Sequence, residues 1–144
     1  MKSALISWQV WALGAAAFAA LTAIFAKIGV AAIHSDLATL IRTLVILVLL
    51  LAIVAAKGAW QPLETISRQT WIFLLLSGLA TGGSWLCYFR ALQLADASRV
   101  APIDKLSVVL VAIFGAVFLG EKLSWHNWLG VAFIAAGTIL VAIR

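Results

Sequence analysis

The chain has 144 residues, 65% of them hydrophobic and 10% charged, with a mean hydropathy of +1.16. An average soluble domain is roughly 45–50% apolar and about 25% charged. Ten Lys and Arg with five Asp and Glu are too few to cover so small a body in water or to keep it solvated without a fold, so a water-soluble globule and a disordered chain are both excluded. The formal net charge of +5 is scattered between apolar runs rather than gathered in a stripe, which fits lipid headgroups and not nucleic acid.

A membrane-crossing helix needs about 20 apolar residues, and five stretches meet or approach that length: 6–26, 37–56, 71–92, 100–119 and 125–143. The first carries no charge. Lys2 and Ala15-Ala16-Ala17 imitate a secretory signal, but the apolar run continues to Ala26, longer than a signal core, so a span is expected rather than a cleaved leader. Its Trp11, Ala15, Phe18, Thr22 and Phe25 share one helical face. The second stretch has Ser35-Asp36 as its expected N-cap, and Lys57-Gly58 at its end with Pro62 beyond. Arg42 lies inside it, about 7 Å along the axis.

The third stretch places Thr81, Trp85 and Tyr88 on one face and carries Gly78 and Gly82 at small-xxx-small spacing, with Arg90 near its end. In the fourth, the uncharged part covers only 106–119, so Asp104 and Lys105 must occupy its first turns. Ser98 is the expected cap there, Pro102 the expected first-turn proline, and Gly120-Glu121-Lys122 the stop. Gly130 and Gly137 lie seven apart on the fifth and, like Gly78 and Gly82, are expected in helix packing.

Five spans put the termini on opposite sides. The N-terminal side collects Lys2, Lys57, Arg68 and Lys122, and the other side Lys27, Arg99 and Arg144 with Arg42, Arg90 and Lys105 at or in the helix ends. That is four against six, or four against four without the two most embedded, Arg42 and Lys105, so the positive-inside rule permits either orientation. Six of the seven tryptophans (8, 11, 60, 71, 125 and 128) fall on the N-terminal side, where indoles suit the headgroup level, and Trp85 lies deep.

Arg42 and Asp104 are the groups most out of place in hydrocarbon, each costing about 2.5–3.5 kcal/mol at a helix centre and less near an interface. Both enter from the same side, so pairing between the second and fourth helices, or the lining of a wet cavity, is expected of them. Lys27, Arg90, Arg99 and Lys105 read as snorkelling or surface charges, and His34 and His126 as solvated loop residues. With one cysteine, Cys87, there is no intrachain disulfide and no cysteine metal site. No nucleophile triad, paired carboxylates, phosphate loop or zinc spacing is present, so neither enzymatic chemistry nor a cofactor is expected.

Tyr88-Phe89-Arg90-Ala91-Leu92 leads into Ala97-Ser98-Arg99-Val100-Ala101-Pro102-Ile103-Asp104-Lys105-Leu106-Ser107, followed by Phe118-Leu119-Gly120-Glu121-Lys122-Leu123-Ser124 and by Gly130 with Ala136-Gly137. This run resembles the EamA domain of the drug/metabolite transporter superfamily, and the first two helices fit it more loosely. The resemblance implies an all-α integral membrane domain over 1–144, with five transmembrane helices forming one EamA repeat. Most such transporters hold two inverted repeats in one chain, so this one resembles the five-helix prokaryotic branch. Where ten-helix relatives carry a mid-helix proline in helix four, this chain has only the earlier Pro102.

The expected function is therefore secondary transport of small metabolites or drugs across the prokaryotic cytoplasmic membrane, by alternating access in an antiparallel dimer of ten helices. The partner is a second copy or a related five-helix chain, beside membrane lipids and the small-molecule substrate. The expected pathway residues are Arg42, Asp104, Trp11, Thr22, Trp85, Tyr88 and Ser107, with Asp104 a candidate for proton uptake. A non-transporting subunit of a larger complex is the alternative. A small multidrug exporter of the four-helix kind fits worse, since the first helix has no acidic residue.

Overall fold

The structure is a computed structural model and describes residues 8–143. Lys2 and Arg144, which entered the charge count, and the first residues of the opening span lie outside the described residues. Among the described residues the chain is entirely helical: α1 (Trp8–Gly29), α2 (Ser35–Ala56), a short 3-10 turn (Leu63–Thr65), α3 (Arg68–Leu94), α4 (Ala97–Asp104), α5 (Leu106–Phe118) and α6 (Trp125–Ala142). Taking α4 and α5 as one span, five segments are long and apolar enough to cross a bilayer. Only 6–11% of each span is buried within the chain. Such surface is unaffordable in water and ordinary in hydrocarbon, so the fold is that of a five-span membrane protein.

Local chemistry sets most of the helix ends. At the end of α2, Gly58 at φ +60° accepts the left-handed turn, with Gly58 N–H donating to Ala55 O and Ala59 N–H to Val54 O. These two bonds make a Schellman stop. Ser67 starts α3 by accepting from Thr70 N–H at 3.1 Å, which draws the helix three residues earlier than the apolar run predicts. Ser124 starts α6 in the same way through Asn127 N–H, so His126 sits in the first turn of a helix and not in a loop.

Two expected caps are corrected. His34, not Ser35-Asp36, caps α2: its Nδ1 accepts from Asp36 N–H at 3.3 Å, and Ser35 is drawn into the helix and buried. Asp96, not Ser98, precedes α4. Pro102 is consequently in the interior of α4 rather than in its first turn. Without an N–H it leaves the Ser98 carbonyl without its helical donor, and three residues later the helix breaks at Lys105. There Lys105 N–H bonds to Pro102 O and Val108 N–H to Lys105 O, both at three-residue spacing. The fourth span is thus two helices joined at an elbow.

The chain forms two compact units, Ala26–Gln93 and the described parts of Met1–Phe25 with Leu94–Arg144. In Ala26–Gln93 the packed centre is where the ends of α1 and α3 meet the start of α2: Leu92 is 0%, Val30 1%, Ser35 1% and Phe89 3% exposed. Two long-range polar contacts tie it together. Lys27 Nζ donates to Leu92 O at 2.7 Å, and Gln93 Nε2 donates to Val30 O at 3.3 Å and Ile33 O at 2.8 Å. Lys27 thereby satisfies a carbonyl in the last turn of α3, and Gln93 satisfies two carbonyls of the turn between α1 and α2. Arg90 in turn donates to Gln93 Oε1 at 3.0 Å, fixing which edge of the amide faces the carbonyls. Lys27 and Arg90 are therefore structural donors and not merely surface charges.

In the other unit α4 and α5 pack against α6. Arg99 donates to Ala142 O at 3.2 Å, satisfying a terminal carbonyl of α6 where a cation also complements the helix dipole. α5 ends at Phe118, and Gly120 just beyond its cap turns the chain away at φ +69°. Gly115 O accepts both Leu119 N–H and Glu121 N–H, which folds the Glu121 side chain back over Gly115. A Cβ on Gly115 would stand 2.7 Å from Glu121 Oε2. The carboxylate is the free end of a flexible chain, so Gly115→Ala is expected to cost less than about 1 kcal/mol as it swings away. Gly120→Ala forces a left-handed alanine and is expected to cost about 1–2 kcal/mol. Thermal unfolding in detergent should rank the two variants in that order.

Candidate functional site

α2 and α3 carry hydroxyls at threefold and fourfold spacing in otherwise apolar spans, and the structure gathers them. An open groove of about 570 Å³ lies in the unit Ala26–Gln93, walled by α2 and α3. Its polar lining is Asp36, Thr39 and Thr43 from α2 with Ser77, Thr81 and Trp85 from α3; Leu40, Leu74 and Leu86 supply apolar wall. Residues 36, 39, 40 and 43 fall on one helical face, as do 74, 77, 78, 81, 82 and 85.

Gly78 and Gly82 also line the groove, and a Cβ added at either meets no other atom within 4 Å. In this chain the two glycines leave the groove wide at that level. Gly130 and Gly137 on α6 have the same open surroundings.

Trp85 is held from the side. The Arg42 guanidinium lies 3.9 Å from the centroid of its ring and 5.4 Å from that of Phe89. Trp85 and Phe89 are one helical turn apart, so their rings form a cradle for the cation. A desolvated contact of this kind is worth about 2 kcal/mol, which offsets much of the cost of an arginine about 10 Å into α2. Arg42 is not itself a lining residue; it reaches the groove through Trp85. Phe89 was not singled out from sequence, although its position four residues after Trp85 on a helix ending on Arg42's side is the signal that finds it.

The other expected pathway residues are placed as follows. Tyr88 is half-buried on α3. Asp104 bonds to Lys105 Nζ at 3.2 Å, a contact between sequence neighbours that the elbow permits and a continuous helix would not. Trp11 and Thr22 on α1 and Ser107 on α5 belong with Asp104 to the unit without the groove, so Arg42 and Trp85 are the expected residues brought together around it. Among the described residues no group of three His, Cys, Asp or Glu is arranged to hold a metal.

Five long apolar spans, two of them walling a largely apolar groove set with a few polar side chains, define a multi-pass membrane protein. Comparison with known proteins agrees: the EamA-like transporter family matches residues 6–143, and the chain belongs to that family. It is a multi-pass transporter of the cell membrane. It is 70% identical over 137 residues, 95% of this chain and 97% of the relative, to a Sinorhizobium sp. protein named as an uncharacterized transporter in the cobO 3' region. It is 31% identical over 86 residues, 60% of this chain and 76% of the relative, to a protein of Hamiltonella defensa. To one of Aeromonas hydrophila it is 35% identical over 82 residues, 57% of this chain and 67% of the relative. Both are named as probable 4-amino-4-deoxy-L-arabinose-phosphoundecaprenol flippase subunit ArnE. No solved structure matches the chain.

Proposed function

We propose that the chain moves a small metabolite or drug of amphipathic character through the α2–α3 groove, by alternating access in an assembly of two five-helix units. The observation that carries this reading is the groove itself, with six polar side chains on helices that otherwise belong in hydrocarbon. Transporter sites built from inverted repeats lie near the bilayer midplane and need both halves. A groove open along one side calls for a second unit to close it. The balanced basic residues permit an upside-down second copy. The flippase relatives are named as subunits, which favours a different membrane chain as the other candidate.

Filling the groove tests the pathway. Because a Cβ on Gly78 meets nothing within 4 Å and the groove beside it is open, Gly78→Trp is expected to fold and to obstruct the passage. Proteoliposomes of the purified chain, loaded with ethidium or with carboxyfluorescein, should release at least one dye, and Gly78→Trp should lower that rate more than about tenfold. Equal rates in the variant would move the pathway elsewhere. Flux that appears only after a second five-helix protein is added would select the heteromeric assembly. Reporters fused to the C-terminus should be found on both sides of the membrane for a homodimer of opposed copies; a single side removes that version.

A further inference from the structure

The direction of the groove's hydrogen bonds narrows its solute, given that the groove is the pathway. A threonine hydroxyl has one proton to donate and lone pairs to accept with. Here three of those protons are already committed to the helix backbone: Thr39 Oγ1 donates to Ser35 O at 2.9 Å, Thr43 Oγ1 to Thr39 O at 2.7 Å and Thr81 Oγ1 to Ser77 O at 2.8 Å. What these side chains offer the groove is acceptor capacity.

Asp36 adds to it. His34 Nδ1 accepts Asp36 N–H at 3.3 Å and lies 3.6 Å from Asp36 Oδ2, beyond hydrogen-bond reach. The carboxylate takes one hydroxyl, from Ser35 at 3.3 Å, and its side chain is 64% exposed at the start of α2. Against these four acceptors stand two donors, the Trp85 indole N–H and the Ser77 hydroxyl.

The geometry points to a groove that selects its solute by the solute's own hydrogen-bond donors: an ammonium or polyhydroxyl head on an apolar body. The leucine wall takes the body. An ammonium head is expected at the Asp36 end, about 9 Å along α2 from the Arg42 charge. A carboxylate or phosphate head finds only the Trp85 N–H and the Ser77 hydroxyl to accept from and faces the Asp36 carboxylate at one end, so it is disfavoured.

The test is protection of a thiol placed in the groove. Gly78→Cys, made with Cys87→Ser because Cys87 is exposed, is labelled with a maleimide in detergent. Hexylammonium, hexane-1,2-diol, hexyltrimethylammonium and hexanoate are compared as protectants. Hexylammonium or the diol should slow labelling about fivefold at concentrations where the other two do not, the ratio expected for one neutral hydrogen bond. Trimethylammonium keeps the charge and the chain but has no donor, so it separates donation from charge. Asp36→Asn should weaken an ammonium and spare a diol, telling the two heads apart. Thr39→Val with Thr43→Val and Thr81→Val should abolish protection by the diol and leave only the share of hexylammonium protection that Asp36 supplies, with the helices intact. Protection by hexanoate or hexyltrimethylammonium equal to that by hexylammonium and the diol would overturn donor selection while leaving the groove as pathway. Protection by none of the four, with Gly78→Trp still transporting, would instead remove the groove reading on which this inference rests.

Discussion

Lys27→Met and Gln93→Leu are each expected to destabilise the folded chain by about 2 kcal/mol, roughly a thirtyfold shift in the folded ratio. Lys27→Met removes a charged donor 2.7 Å from the carbonyl of fully buried Leu92. Water has poor access to that oxygen, so the penalty is close to that of an unsatisfied buried acceptor. Gln93→Leu removes the donor of Val30 O and Ile33 O together. The Ile33 contact is exposed, so solvent recovers part of that loss, which places the two variants at similar cost. The double variant should lose less than the sum, because both contacts hold the same helix ends. Chemical unfolding in mixed detergent, followed by far-UV circular dichroism, measures this. Unchanged midpoints in both single variants would show that the reciprocal clamp does not hold the bundle together.

Arg42→Leu is expected to separate transport from stability. Removing the arginine loses a cation–π contact of about 2 kcal/mol and relieves an intramembrane charge costing up to about 2.5–3.5 kcal/mol. The two nearly cancel, so expression and unfolding should stay within about 1 kcal/mol of the native chain. Transport should nevertheless fall about tenfold or more, because Trp85 loses the group that fixes its ring at the groove wall. The loss should fall mainly on KM, and Arg42→Lys should restore part of it, as a less well matched cation over the same ring. An Arg42→Leu chain that transports normally would be fatal to a positioning role for Arg42.

The membrane architecture was legible because it rests on composition and local chemistry. Apolar runs, Lys57-Gly58 and Gly120 signal span and stop through terms that act within a few residues. The caps failed where two polar residues competed: His34 takes the amide that Ser35-Asp36 were expected to serve, and Asp96 lies two residues before Ser98. The elbow at Lys105 was hidden because Pro102 is harmless in a first turn and disruptive in a helix interior, and a one-turn change in the start of α4 decides which applies. The site was half legible. Arg42 and Trp85 each stood out by cost or bulk. Their meeting, and the groove beside them, depend on the spacing of α2 and α3, which no local pattern reports. Lys27 and Gln93 were beyond reach for the same reason, since their carbonyl partners lie 60–65 residues away in the chain.

That separation has a consequence for biosynthesis. The carbonyls of Val30 and Ile33 emerge from the ribosome about 60 residues before the amide that serves them. At about 5–20 residues per second the interval is roughly 3–12 s. Through it the first hairpin enters the insertion machinery with its corner still wet, and the corner dries only on arrival of Gln93. Nascent chains stalled just short of that glutamine should therefore remain open to protease at the turn between the first two spans, and chains stalled well beyond it should be closed.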